Sequence, residues 1–273
     1  MNERTASYEF VAFDDMNIHY QVSGTGPALV MIHGFTFDFR CWEDQFETFV
    51  KQNQVLRYDL RGHGKSSHPT IKSYTYHDDL RNLVELLGIG SMCLIGHSLG
   101  GSIAINFALK YPEHTSALVL VDPGLGGFDW SGDLMSWMES TWNAASESSL
   151  EEAREVWLGG APWKPALENP EVATRVKEMI WDYSGWHWMN EDPHEFPEIP
   201  AIQRLGEINC PTLLIIGGRN PSDYHRLADT IENNIADTRR VILPGVGHAP
   251  NMEAPGEFNR KVTKFLSDIG HAA

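Results

Sequence analysis

Short apolar runs alternate with helical patterns along most of this 273-residue chain, and this alternation limits the possible folds more than any other feature. Several runs are continuously apolar, as expected for parallel strands that are covered on both faces. The pattern therefore predicts the α/β class, with a doubly wound, mostly parallel, eight-stranded sheet. The eight predicted strands are Tyr8 to Phe13, Ile18 to Val22, Ala28 to His33, Val55 to Asp59, Met92 to Gly96, Ala117 to Asp122, Thr212 to Gly217 and Arg240 to Leu243.

Helical periodicity fills several of the intervals between these strands. The short turn Asp14-Asp15-Met16-Asn17 joins the first two strands, which indicates an antiparallel hairpin at one edge of the sheet. The predicted helices are Tyr76 to Leu87, Gly101 to Tyr111, Tyr224 to Asn233 and Glu257 to Asp268.

The alternation stops after Asp122 and resumes near Cys210. We interpret the interval as an insertion, which gives a core of residues 1–124 and 205–273 and a helical cap of residues 125–204. Large aromatic side chains can build the cap's own small core or line an apolar pocket over a site. Phe128, Trp130 and Trp137 are the candidate substrate-binding residues. Eight of the nine tryptophans lie in the cap: Trp130, Trp137, Trp142, Trp157, Trp163, Trp181, Trp186 and Trp188.

The charge balance argues against anionic macromolecular partners. The chain carries 21 Lys+Arg against 37 Asp+Glu, a formal charge of -16, which would repel nucleic-acid phosphates and anionic lipids. The first twenty residues lack the apolar stretch of a secretory signal, and no run reaches the length of a membrane span. The three scattered cysteines read as free thiols. These features predict a cytoplasmic protein with a small-molecule partner.

The strongest local motif is Gly96-His97-Ser98-Leu99-Gly100, which joins an apolar strand to a helix. This context is typical of a nucleophile elbow, a sharp turn that exposes a reactive hydroxyl at the carboxyl end of the sheet. Glycines are needed two positions to either side because larger residues would clash where strand passes directly into helix. Ser98 is therefore the candidate nucleophile.

A serine hydroxyl needs a base to remove its proton. His248 is the candidate base, because it follows the last strand in the loop Leu243-Pro244-Gly245-Val246-Gly247-His248, at the same edge of the sheet as Ser98. His33, His63 and His97 are interpreted as scaffold residues.

Four motifs in order make the chain resemble the α/β-hydrolase superfamily across nearly its whole length, except the cap. The motifs are His33-Gly34-Phe35, Asp59-Leu60-Arg61-Gly62-His63-Gly64-Lys65-Ser66, Gly96 to Gly100, and Gly247-His248. The resemblance implies that the backbone N–H groups of Phe35 and Leu99 form an oxyanion hole.

The chain departs from this resemblance at the triad acid. Relatives carry the acid a few residues after the penultimate strand, where this chain has Asn220. An amide can orient imidazole but cannot offset the imidazolium charge. Asp122, at the end of the strand after the nucleophile's helix, is the preferred acid, since some dehalogenases and lactone hydrolases place theirs there. Asp223 is the second candidate for the acid. The third possibility is that Asn220 takes this place and the triad has no acid.

These residues predict acyl chemistry that needs no metal or organic cofactor. Serine rather than aspartate at the elbow argues against the dehalogenase and epoxide-hydrolase branches. The predicted reaction is hydrolysis of an apolar or aromatic carboxylic ester or lactone through an acyl-enzyme on Ser98. A carbon–carbon bond hydrolase with the same triad is the alternative enzyme, and a ligand-binding or signalling protein without turnover is the alternative of another class.

Overall fold

The computed structural model describes residues 8–13, 16–70 and 72–271. Asp14 and Asp15 of the predicted hairpin turn lie outside these residues. Eight strands are present within the described part of the chain, as the alternation predicts. They are β1 (Tyr8–Phe13), β2 (Met16–Ser23), β3 (Ala28–Ile32), β4 (Gln54–Tyr58), β5 (Met92–His97), β6 (Thr115–Val121), β7 (Thr212–Gly217) and β8 (Thr238–Leu243).

Helices fill the intervals between the strands. All four helices predicted from periodicity are present. The short helix α1 was not predicted, because seven residues are too few to show a periodic pattern. The helices are α1 (Glu43–Phe49), α2 (Tyr76–Leu86), α3 (Leu99–Lys110), α4 (Gly132–Glu147), α5 (Leu150–Leu158), α6 (Lys164–Glu168), α7 (Pro170–Asp182), α8 (Trp186–Met189), α9 (Ser222–Asn234), α10 (Pro250–Glu253) and α11 (Pro255–Asp268).

The strands form one sheet in the order β1-β2-β4-β3-β5-β6-β7-β8. The β1–β2 and β2–β4 pairs are antiparallel, and every later pair is parallel. This arrangement confirms the predicted α/β class and the edge hairpin. Strands β5, β6, β7 and β8 lie side by side, so the loops after their carboxyl ends meet at one edge of the sheet.

The sheet separates two apolar cores. Alternate side chains of each strand point to opposite faces. One face packs against α2, α3 and α9, and the other packs against α1, α11 and side chains of α5 and α7. Cys41 and Cys93 are buried free thiols, and Cys210, also free, is half-buried. None of the helices in the described residues is long and apolar enough to span a membrane.

The interval between β6 and β7 contains five helices, α4–α8, and no strand. All five lie inside residues 125–204, the range predicted for the cap. An isolated bridge between Tyr74 and His194 joins this interval to the segment before α2. The Nε1 group of Trp157 also donates to Thr36 Oγ1 at 3.0 Å. The division of the chain into a core and a cap stays a prediction.

Candidate active site

Ser98 occupies the turn between β5 and α3. Its backbone has φ 51° and ψ −112°, a conformation that L residues rarely adopt. A Cβ added to Gly96 would lie 2.2 Å from the Gly100 carbonyl oxygen, and one added to Gly100 would lie 2.1 Å from the Ile32 carbonyl oxygen. The two flanking glycines are therefore sterically required, and the turn leaves the Ser98 side chain half-buried at the carboxyl edge of the sheet.

His248 lies in the loop between β8 and α10, with its Nε2 atom 3.0 Å from Ser98 Oγ. Its side chain is almost fully buried, and its backbone N–H donates to the carbonyl oxygen of Pro162 at 3.3 Å. The Nε2 atom of His97 lies 2.5 Å from the His248 carbonyl oxygen, so His97 ties the loop to the elbow. The structure thus brings Ser98 and His248 to the distance at which a proton can pass between them.

Two side chains face the other ring nitrogen of His248. The Asn220 Nδ2 atom lies 3.2 Å from His248 Nδ1, and the nearest oxygen of Asp122 lies 4.0 Å from the same atom. Asp122 is 0% exposed, has φ 41°, and accepts a hydrogen bond from the Gly217 N–H at 3.1 Å. Both Asp122 and Asn220 therefore lie beside the His248 ring, and the role of Asp122 as the triad acid stays a prediction.

Asp223 is engaged elsewhere. Its carboxylate accepts hydrogen bonds from the backbone N–H and the hydroxyl of Ser131, both at 2.8 Å. It also pairs with Arg226 at 2.7 Å. These bonds attach α9 to the start of α4, so the alternative acid serves the junction between the predicted cap and core.

Burial sets the protonation of the two ionisable groups beside Ser98. It lowers the pKa of His248 well below its ordinary value, and the nearby His97 lowers it further. The imidazole is consequently neutral near pH 7, as a general base must be. Burial also raises the pKa of Asp122 well above its ordinary value, while the Gly217 N–H and the Asn220 amide act in the opposite direction.

The predicted oxyanion donors flank Ser98. A Cβ added to Gly34 would lie 3.3 Å from Ser98 Cβ, so the backbone that leads into Phe35 approaches the nucleophile directly. Leu99 is the first residue of α3, where backbone N–H groups have no partner within the helix. The role of these two N–H groups stays a prediction.

Phe128 and Trp130 lie together, as two of the three candidate substrate-binding residues. Their ring centroids are 4.9 Å apart, and Trp130 contacts Tyr224 at 5.4 Å. Tyr224 in turn contacts the His248 ring at 4.5 Å. These three side chains, which we call the Trp130 cluster, connect half-exposed aromatic surface to His248.

Trp137, the third candidate, lies in a different aromatic group. It stacks on Trp157 at 4.3 Å and donates to the Val156 carbonyl oxygen. Trp157 in turn contacts Phe35, whose ring centroid lies 5.6 to 6.1 Å from five rings of the helical insertion. Phe35 and these five rings form what we call the Phe35 cluster: Phe35, Trp142, Trp157, Tyr183, His187 and Trp188.

Sequence reasoning did not place Phe35 among these rings. Only the neighbouring His-Gly-Phe motif marks the residue, and no local pattern says which distant tryptophans it contacts. Trp137 also lines a cleft of about 660 Å³, together with Lys164, Arg219 and Pro221. Its lining includes neither Ser98 nor His248. Within the described residues, no group of three or more His, Cys, Asp or Glu side chains could hold a metal ion.

Known proteins resemble this chain over nearly its full length. It is 27% identical to the 2-hydroxy-6-oxononadienedioate/2-hydroxy-6-oxononatrienedioate hydrolase of Comamonas testosteroni, over 98% of this chain and 99% of that protein. It is 25% identical to a carboxylesterase of Bacillus subtilis, over 97% of this chain and 88% of that protein. The solved structure of a hydrolase from Pseudomonas aeruginosa is 27% identical, with a TM-score of 0.79 over 97% of this chain and 99% of that one.

The family match agrees with the observed sheet and with the resemblance seen in the sequence. Residues 27–255 match the family described as alpha/beta hydrolase fold, which covers the strands from β3 to β8 and the loops that carry Ser98, Asp122 and His248. The chain belongs to the α/β-hydrolase family.

Proposed function

We propose that this protein is a serine hydrolase that cleaves a carboxylic ester or a lactone through an acyl-enzyme on Ser98. The observation that carries the proposal is the 3.0 Å separation of Ser98 Oγ and His248 Nε2 at a strained strand-to-helix turn. A hydroxyl and a buried neutral imidazole at this distance are the pair that nucleophilic acyl transfer requires.

The proposed reaction has two half-steps. Ser98 Oγ attacks the carbonyl carbon while His248 Nε2 takes its proton, and the N–H groups of Phe35 and Leu99 stabilise the oxyanion. His248 then returns the proton to the leaving alcohol. In the second half-step His248 activates water, which attacks the acyl carbon and releases the acid and free Ser98.

Asp122 is the proposed acid of the triad. Its carboxylate is the one that faces His248 Nδ1, at 4.0 Å, whereas Asp223 is committed to Ser131 and Arg226. At this separation a carboxylate offsets the charge of the imidazolium that forms when Ser98 loses its proton.

An apolar or aromatic ester is the proposed substrate class. The Trp130 cluster supports it, because half-exposed aromatic rings approach the base through Tyr224. The net charge of -16 disfavours polyanionic substrates. We propose residues 125–204 as the cap over this site.

A carbon–carbon bond hydrolase is the second candidate. It is favoured by the Comamonas relative, whose named substrate contains enol, ketone and carboxylate groups but no ester. Hydrolysis of such a compound breaks a carbon–carbon bond beside the ketone, and the same serine and histidine could perform it.

Intact-mass analysis after treatment with a fluorophosphonate probe tests the proposal. We expect one adduct per chain on the wild type and none on Ser98→Ala. Repeated turnover of an aryl ester by the wild type, lost in Ser98→Ala, would support ester hydrolysis. An unlabelled wild type, or a single stoichiometric burst without turnover, would contradict it and favour a ligand-binding protein.

A further inference from the structure

The side chain of Asn220 is buried against the two groups proposed to assist Ser98. Its Nδ2 atom lies 3.2 Å from His248 Nδ1, which is 0.8 Å closer than Asp122 comes. The Asn220 amide also acts on the Asp122 carboxylate as a hydrogen-bond donor. Asn220 Oδ1 is buried and has no hydrogen-bond partner among the described residues.

The backbone holds Asn220 rigidly to the loop that carries the base. The Gly218 N–H donates to the Leu243 carbonyl oxygen and the Arg219 N–H to the Val246 carbonyl oxygen, both at 2.8 Å. A Cβ added to Gly217 would lie 1.9 Å from the Gly247 carbonyl oxygen, so the loops after β7 and β8 touch directly. Hydrogen bonds between the backbones of these two loops thus fix the positions from which Asn220 and His248 approach each other.

Neither neighbour of His248 Nδ1 can perform the whole task of a triad acid. A separation of 4.0 Å is too long for a hydrogen bond, so Asp122 cannot orient the ring directly, although its charge still acts over that distance. An amide orients imidazole but carries no charge. The two roles fall on two side chains at the ends of neighbouring strands.

We propose that Asn220 is a positioning residue: before reaction its Nδ2 group faces the Asp122 carboxylate, and during proton transfer its Oδ1 atom orients the His248 imidazole, while Asp122 supplies the charge. The inference rests on the proposed serine chemistry. To accept a proton from Ser98, His248 must carry its own proton on Nδ1. A half-turn of the Asn220 amide presents the unpartnered Oδ1 atom to that Nδ1–H group, in exchange for the donation to Asp122.

The rate of fluorophosphonate labelling of Ser98 tests this role, because it depends on the base and needs no known substrate. We expect Asn220→Leu, which keeps the volume and removes both amide functions, to slow labelling about 10- to 100-fold. Asn233→Leu, at an exposed position on α9, is the control and should label at the wild-type rate. Equal rates in Asn220→Leu and wild type would overturn the proposal.

Two further readouts separate positioning from a structural role. The acid limb of the labelling rate should move to higher pH in Asn220→Leu, because Asp122 loses a donor that favours its charged form. The other titratable groups at the site are His97 and Tyr224, which contact His248, and Glu253, which acts on Asp122. A slower rate with an unmoved acid limb would contradict the proposal.

The most discriminating test exchanges the acid and the amide between positions 122 and 220. Asp122→Asn alone should slow labelling about 10³- to 10⁴-fold. Adding Asn220→Asp should raise the labelling rate of Asp122→Asn at least tenfold. In this double variant a carboxylate takes the place of the amide that lies nearest to His248 Nδ1, and an amide takes the place of the more distant carboxylate. A double variant no faster than Asp122→Asn would overturn the positioning role. Failure of the wild type itself to label contradicts the proposed function instead, so the two failures are distinguishable.

Discussion

Two aromatic clusters lie near the Ser98–His248 pair, and they differ in how much of their ring surface is buried against other side chains. In the Phe35 cluster, Trp157, Tyr183 and Trp188 are all buried, and Phe35 fills the space between them. In the Trp130 cluster, Phe128 and Trp130 are only half-buried and meet the base through Tyr224.

The difference shows that aromatic content alone does not locate a substrate pocket. In the larger cluster, Phe35 occupies the space between the rings of the helical insertion. These rings therefore form a small core that joins the insertion to the sheet. The smaller cluster keeps part of the Phe128 and Trp130 rings exposed and reaches His248 through Tyr224. Ligand contact is therefore expected on the Trp130 side, and stability on the Phe35 side.

The largest expected effect is on stability. Trp157→Ala removes a 6%-exposed ring and its hydrogen bond to Thr36, so it should lower the free energy of unfolding by about 3 to 5 kcal/mol. Denaturant titration measures the change. Trp181→Ala is the matched control, since Trp181 is 41% exposed and should cost about 1 kcal/mol or less. Equal losses for the two variants would contradict a structural role for the Phe35 cluster.

Trp130→Ala should change substrate binding more than stability. The KM for an aryl ester should rise about tenfold, corresponding to about 1.4 kcal/mol of lost apolar contact, while the KM for a small acetate ester changes less than threefold. Steady-state kinetics on both esters measure this selectivity, with Trp181→Ala again as the control. A proportional rise for both esters would remove the Trp130 cluster from the substrate site.

The pH dependence of stability gives the third comparison. His63 is buried and stacks on Tyr183 of the Phe35 cluster at 5.1 Å. Its Nε2 atom has no hydrogen-bond partner among the residues that the structure describes, and burial lowers its pKa well below the ordinary value. Below about pH 6.5 only the unfolded chain binds this proton, so stability falls as pH falls, by up to about 1.4 kcal/mol per pH unit.

We expect His63→Phe to flatten this dependence by about that amount per unit between roughly pH 6 and 4.5. Denaturant titrations at several pH values measure the slope, and His225→Phe, at a half-buried position on α9, is the control. An unchanged slope in His63→Phe would mean that other buried groups carry the acid sensitivity.

The sequence predicts the sheet well because its signals are local. Continuous apolar runs mark β5, β6 and β7, and the glycines around Ser98 mark a turn with a single steric solution. Strand order then places Ser98, Asp122 and His248 at one edge. Their meeting could be predicted without any knowledge of side-chain contacts.

The remaining features depend on contacts between distant segments. The resemblance places Asn220 at the usual acid position, but no local pattern shows that it lies 3.2 Å from His248 Nδ1 and Asp122 4.0 Å, because these distances are set by the packing of the loops after the strands. Likewise the stacking of Phe35 on Trp142 joins residues more than a hundred positions apart. The sequence also does not show that Trp137, predicted as a pocket residue, stacks on Trp157 and lines a cleft that contains neither Ser98 nor His248.

Ser98 and His248 are 150 residues apart in the chain, and this separation governs when the pair can come into existence. Contacts of such long range form late, after the entropy of closing a long loop has been overcome. During synthesis the elbow leaves the ribosome well before β8 and the loop that carries the base. A nascent chain therefore contains Ser98 before it contains the proposed base, and nucleophilic reactivity is expected only after synthesis has passed His248.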